Sequence, residues 1–116
     1  MSMTQSRAVV VGIDASPGSQ LALRWATAEA AKRELPMEVV VAYELPVTSL
    51  TPTITTATEA PATTKQAYEA AVAFVADRLG SERVTGVFEA GRAAALLVER
   101  SAEAELLVVG SRSRST

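Results

Sequence analysis

Val9-Val10-Val11-Gly12-Ile13-Asp14-Ala15-Ser16-Pro17 is the stretch on which the fold turns. With Arg7 and Ala8 before it, the run to Ile13 is β-branched and almost continuously apolar. That pattern suits a strand covered on both faces, as strands of parallel sheets are. Asp14-Ala15 then leads to Ser16-Pro17, where the serine hydroxyl can accept from orphan helix amides and proline, with its fixed φ, suits the first helical position. A buried central strand passing straight into a helix is the opening of a βαβ unit.

Outward from there, the spacing predicts a helix from Pro17 to about Glu34, with Leu21, Trp25, Ala28 and Leu35, flanked by Ala22, Ala26 and Ala31, on the face toward the sheet and Arg24, Glu29, Lys32 and Arg33 toward water. Pro36 closes it. Met37-Glu38-Val39-Val40-Val41-Ala42-Tyr43 reads as a second buried strand, and a right-handed crossover places it parallel to the first. From Leu45 to Thr64 the composition shifts to threonine and proline, with few large apolar groups to offset the entropy of ordering, which reads as a long mobile loop. Lys65 to Leu79 is again helical, with Tyr68, Val72, Val75 and Leu79 on one stripe and Gly80 as its stop. Arg83 to Glu89 reads as a third strand that Gly86 weakens, suiting a sheet edge. A helix from about Arg92 to Glu103 follows, its inner face framed by Leu96, Leu97 and Arg100. Glu105 to Val109 is the fourth strand, ending at Gly110. The alternation describes an α/β open parallel sheet with helices on both faces.

Bulk properties narrow the function. The 116 residues suffice for a single domain with one hydrophobic core, and 48 % apolar residues with a net charge of −2 describe an ordinary globular composition. The longest uninterrupted apolar run, Ala70 to Ala76, is seven residues and falls far short of the roughly 20 a spanning helix needs. The N-terminus lacks the apolar core of a secretory signal and reads as a frayed cytoplasmic start. The chain contains neither cysteine nor histidine, which removes thiolate chemistry and the commonest general base and metal ligand. No basic stripe suits a nucleic-acid backbone, and no membrane partner is indicated. A glycine-lysine phosphate loop and a dinucleotide fingerprint are both absent.

Sites in open parallel sheets lie at the carboxyl ends of the strands. Here that rim comprises Asp14 to Ser16, Tyr43 to Glu44, Glu89 to Gly91, and Gly110 onward. Val9 to Ser16, continuing through Ala22-Leu23-Arg24-Trp25-Ala26, resembles the opening of universal stress proteins. Leu106-Leu107-Val108-Val109-Gly110-Ser111-Arg112, with Gly91 heading the preceding helix, resembles their fourth strand and the turn after it. The resemblance implies an adenine-nucleotide α-hydrolase-like, Rossmann-like sheet of order 3-2-1-4-5, of which this chain carries 3-2-1-4 without the fifth strand. It also implies frequent dimerisation and, in one subgroup, ATP binding through a glycine-rich signature after strand four. Gly110 matches the first glycine of that signature, Ser113 stands at the second, and the third has no counterpart.

By resemblance the cofactor-binding residues are Asp14, Ala15, Ser16, Tyr43, Gly110, Arg112 and Ser113, and the ligand is ATP, with or without Mg. Each has a plainer reading beside that one. Asp14 can serve the helix N-terminus, Ser16 can cap it, Tyr43 can be a half-buried aromatic, and Gly110 can be a turn glycine. Two functions stand open: a cytoplasmic stress-response protein that holds an adenine nucleotide with at most weak ATPase activity, and a non-nucleotide dimerisation or interaction module of the same fold. No nucleophile-base pair supports a conventional enzyme. The missing fifth strand leaves Leu106 to Val109 with an open edge, so a homodimer or other self-association is expected.

Overall fold

The structure, a computed structural model, describes residues 7–14, 16–43 and 61–110. Ala15, Arg112, Ser113 and the threonine-rich segment 44–60 lie outside the described residues. The elements run β1 (Val9–Gly12), α1 (Pro17–Arg33), β2 (Met37–Tyr43), α2 (Ala62–Leu79), a single 3₁₀ turn (Ser81–Arg83), β3 (Val84–Ala90), α3 (Ala93–Ser101) and β4 (Leu106–Val109). They form one four-stranded sheet of order β3-β2-β1-β4 with every pair parallel. The expected topology is therefore observed, including β3 at an edge.

Period-2 alternation divides the strands between two apolar clusters. Val9 and Val11 of β1 and Met37, Val39 and Val41 of β2 pack under α1 and α2, while Val10, Val40 and Val87 turn to α3 and Leu96. Side chains on both faces of β1 and β2 are buried, which is why these strands read as unbroken apolar runs.

The inner face of α1 differs from the one its large residues suggest. Ser19, Ala22, Leu23, Ala26, Thr27 and Ala30 are buried, whereas Leu21 is 66 % and Trp25 52 % exposed and Ala28 points outward. The alanines repeat every four residues, as helical a spacing as the Leu–Trp stripe, and their small side chains let α1 lie close on a valine-lined sheet. Thr27 can be buried because its hydroxyl donates to the Leu23 carbonyl at 2.7 Å. Leu35 does pack against this core, as expected. The helix stops at Glu34, held in a left-handed conformation with φ 57°, where the amides of Glu34 and Leu35 return to the carbonyls of Ala31 and Ala30.

Helix α2 begins at Ala62, three residues inside the segment read as loop, because the Pro61 carbonyl already accepts from the Lys65 amide. Its stripe is as expected, with Val75 and Leu79 buried, Tyr68 and Val72 packed on the core, and Ala71 added. Gly86 makes room for the Tyr68 phenol, which a Cβ there would strike. Arg83 falls in the 3₁₀ turn, from which its guanidinium donates to the Leu35 carbonyl at 3.2 Å. On the other face Arg100 pairs with Glu38, a carboxylate near the amino end of the inner strand β2 whose side chain is only 14 % exposed. That hydrogen bond and charge raise the Arg100 pKa above its usual value, so the guanidinium stays charged.

Candidate functional site

The carboxyl ends of β1 and β4 meet. In the parallel register Gly12 stands beside Val109, so the next residues, Ile13 and Gly110, are adjacent as the chain leaves the sheet. A cleft of about 110 Å³ opens there, lined by Gly12, Ile13, Asp14, Ser19, Val40, Ala42, Ala93, Leu97, Val109 and Gly110. It lies where α1 departs from β1 on one face of the sheet and α3 feeds β4 on the other, the switch point at which open parallel sheets bind ligands.

Asp14 is oriented by its own turn. Its Oδ1 accepts from the Ser16 amide at 2.8 Å and from the Ser16 hydroxyl at 2.5 Å, while the Asp14 amide donates to Ser19 Oγ at 2.7 Å. The Ser16 hydroxyl in turn accepts from the Ser19 amide at 3.3 Å, which makes Ser16 the N-cap of α1. Spacing alone accounts for this: Asp, Ser and Ser at 14, 16 and 19 form an Asx turn that runs into a helix cap. The carboxylate is thus exposed at the rim in a defined orientation beside the first turn of α1.

Gly110 is tied to the same turn. A Cβ on it would strike the Gly18 carbonyl and stand 2.8 Å from the Ser19 amide nitrogen. Close backbone approach is therefore required here, and the partner it approaches is the N-terminal turn of α1. Gly12 forms the floor of the cleft, and a Cβ on it would lie 2.9 Å from a Leu97 methyl. Leu97 is thus the wall that narrows the opening.

Tyr43 is not brought to this cleft. Its ring stands on the α2 side, 4.8 Å from the Phe88 ring, which in turn stacks on Tyr68 at 4.8 Å, and its carbonyl accepts from the Gly91 amide at 2.9 Å. Alternation along β2 instead turns Val40 and Ala42 to the cleft, and these, with Gly12, Ile13, Ser19, Ala93, Leu97 and Val109, are the lining residues that sequence reasoning missed. The signal was available in the parity of β2: a residue two before Ala42 shares its face, and Tyr43 does not. Gly91, with φ 144°, enters α3 as a backbone hinge, and Glu89 is exposed. Among the described residues no three carboxylates gather as a metal site. No helix among them is long and apolar enough to cross a membrane.

A parallel sheet of this order with helices on both faces defines an open α/β domain. The profile of the universal stress protein family matches residues 5–116, and the chain belongs to that family. Solved structures share the fold. Protein Rv1636 from Mycobacterium tuberculosis H37Rv is 24 % identical with a TM-score of 0.61, over 99 % of this chain and 79 % of that one. A universal stress protein in complex with cAMP is 25 % identical with a TM-score of 0.60, over 91 % and 77 % of the two chains. The universal stress protein from Archaeoglobus fulgidus is 24 % identical with a TM-score of 0.61, over 96 % and 80 %. None of the curated proteins compared with the chain matches it.

Proposed function

We propose that this chain is a cytoplasmic stress-response protein that holds an adenine nucleotide, ATP in the first instance, at the Asp14–Gly110 rim and turns it over slowly if at all. The observation that carries the reading is the cleft itself, in which an oriented carboxylate, two glycines and the small residues Ala42 and Ala93 converge at the switch point of a parallel sheet. The solved relative in complex with cAMP supports an adenine nucleotide as the ligand class. In this arrangement Val40, Ala42 and Leu97 offer the flat apolar contacts a base requires, and the Asp14 carboxylate accepts from ribose hydroxyls or the exocyclic amine. At about 110 Å³ the cleft takes part of a nucleoside and no more, so Leu97 turns aside when a whole nucleoside enters. Phosphates extend toward the residues after Gly110, where Arg112 and the hydroxyls of Ser111 and Ser113 follow in sequence. Magnesium, if taken up, travels on the phosphates.

Isothermal titration with ATP, AMP, cAMP and GTP tests this. Adenine nucleotides bind the wild-type chain at sub-millimolar concentration and GTP binds more weakly. Asp14→Asn keeps an acceptor for the Ser16 turn but loses the charge-assisted bond, weakening binding roughly tenfold, or about 1.4 kcal/mol. Absence of heat at millimolar adenine nucleotide would leave the second reading, an interaction module of the same fold. The narrow cleft and the structural reason for Gly110 favour that second reading.

A further inference from the structure

We propose that the groove between α1 and α2, on the outer surface of the domain, is a docking site for an acidic amphipathic helix of a partner protein. The inference stands whether or not the cleft at the strand ends holds a nucleotide.

Two openings run along this helix pair. One, of about 520 Å³, is lined by Arg24, Thr27, Ala28 and Ala31 of α1 and by Phe74 and Arg78 of α2. The other, of about 190 Å³, continues toward the carboxyl ends of the strands, with Gln20 and Leu23 on one side and Ala67, Ala70 and Ala71 on the other. Arg24 and Phe74 line both, so the two form one groove. Its walls, from Gln20 to Ala31 and from Ala67 to Arg78, each extend about 16 Å, or three helical turns.

Small side chains shape this groove. α1 turns Ala22, Ala26 and Ala30 to the sheet, and Ala28 and Ala31 remain exposed on its outward side. With no branched side chain at those two positions, another helix can approach the α1 backbone closely. Phe74, half-buried, adds an aromatic wall. Because Ala28, Ala31 and Ala70 are all exposed, the groove is open along its length and would not enclose a small molecule as ligand pockets do. A helix laid lengthwise would cover it.

Charge selects the kind of helix. Arg24 is exposed and forms no ion pair with a described residue. Arg78 lies 3.8 Å over the Phe74 ring and meets the neighbouring Asp77 at 3.6 Å, a pair exposed on both sides that holds the guanidinium weakly. The stack orients the guanidinium plane and leaves its N–H edge for a carboxylate. No carboxylate lines the wider opening. Asp14 lines the narrower one, at the end away from Arg78, and Glu29 is engaged by Lys32 and Arg33. A guanidinium on each wall of an apolar floor, in a chain of net charge −2, matches a helix with an apolar stripe flanked by carboxylates.

Fluorescence anisotropy reads the docking, with the full chain titrated into a labelled helical peptide of about twelve residues, its leucines three and four apart and flanked by glutamates. The expected dissociation constant is on the order of 10–100 µM, in keeping with a small interface, and it rises with salt. The same peptide with lysine for glutamate binds at least about tenfold more weakly. Arg24→Glu and Ala28→Gln, both at exposed helix positions, each raise the dissociation constant about tenfold or more. Arg24→Lys retains most of the binding, Val98→Gln on the exposed side of α3 leaves it unchanged, and circular dichroism verifies that each variant is folded. Equal binding of the two peptides, binding indifferent to Arg24→Glu and Ala28→Gln, or no anisotropy change at millimolar chain overturns the proposal. So does either rival occupant: decanoate binding that Arg24→Glu abolishes while the peptide stays unbound, or self-association of the chain that Ala28→Gln abolishes.

Discussion

Gly110→Ala separates two reasons for a glycine at the end of β4. The φ of Gly110 is not in the left-handed region, so the substitution carries no backbone strain of that kind. The new Cβ does collide with the Gly18 carbonyl and sits 2.8 Å from the Ser19 nitrogen, both backbone atoms that cannot rotate away. Relief requires β4 to withdraw from the first turn of α1, which loosens the contacts of Leu106 and Val108 with the main core and disturbs the Ser16–Ser19 cap. Overpacking of this size costs about 1–3 kcal/mol, and for a domain of this length each kcal/mol lowers the melting temperature by roughly 3–6 °C. Thermal unfolding by circular dichroism, with urea titration at 25 °C, should therefore show Gly110→Ala melting roughly 3–18 °C below wild type without any ligand present. A substitution within about 0.5 kcal/mol of wild type would refute the packing argument and return Gly110 to a turn glycine kept for ligand approach alone.

Gly12→Val fills the floor of the cleft against Leu97 and should abolish adenine-nucleotide heat in titration calorimetry while the chain still folds, at a cost of about 1–3 kcal/mol in urea unfolding. Removing the guanidinium in Arg100→Met leaves the Glu38 carboxylate without its partner on a sheet face where it is 14 % exposed. The expected loss is about 1 kcal/mol in urea, at the low end for a charged hydrogen bond because Arg100 is itself 37 % exposed. Ala26→Leu forces a branched side chain between α1 and the sheet and should cost about 1–3 kcal/mol, whereas Leu21→Ser on the outer side changes stability by less than about 0.5 kcal/mol at low micromolar protein. The reverse order of effects would restore the Leu21–Trp25 stripe as the inward face.

The topology was legible because β1 and β2 are valine-rich on both parities, a pattern that only a strand covered on both faces tolerates. What the sequence could not decide was which of two helical stripes on α1 goes inward. Large residues normally win that choice, but close approach to a flat valine surface favours the Ala22–Ala26–Ala30 row, a tertiary preference with no local signal. Asp14 and Gly110, singled out where motif and strand end coincide, both line the cleft, whereas Ser16 caps α1 beside it. Tyr43 stands apart from the cleft, because face parity along β2 outweighs nearness to the strand terminus and the Tyr43–Phe88–Tyr68 stack lies on the other side of the sheet. Gly12 and Leu97 escaped notice because their roles arise only when α3 is laid across the end of β1.

The central claim, that an adenine nucleotide sits where β1 and β4 end together, is tested most directly by amide chemical-shift mapping of the labelled chain during titration with ATP. The account predicts shifts concentrated at Gly12, Ile13, Asp14, Ala42, Val109 and Gly110, saturating at sub-millimolar nucleotide and absent in Gly12→Val. Shifts gathered instead at the amino ends of the strands, around Glu38, Arg100 and Glu103, or no shifts at millimolar ATP, would contradict it.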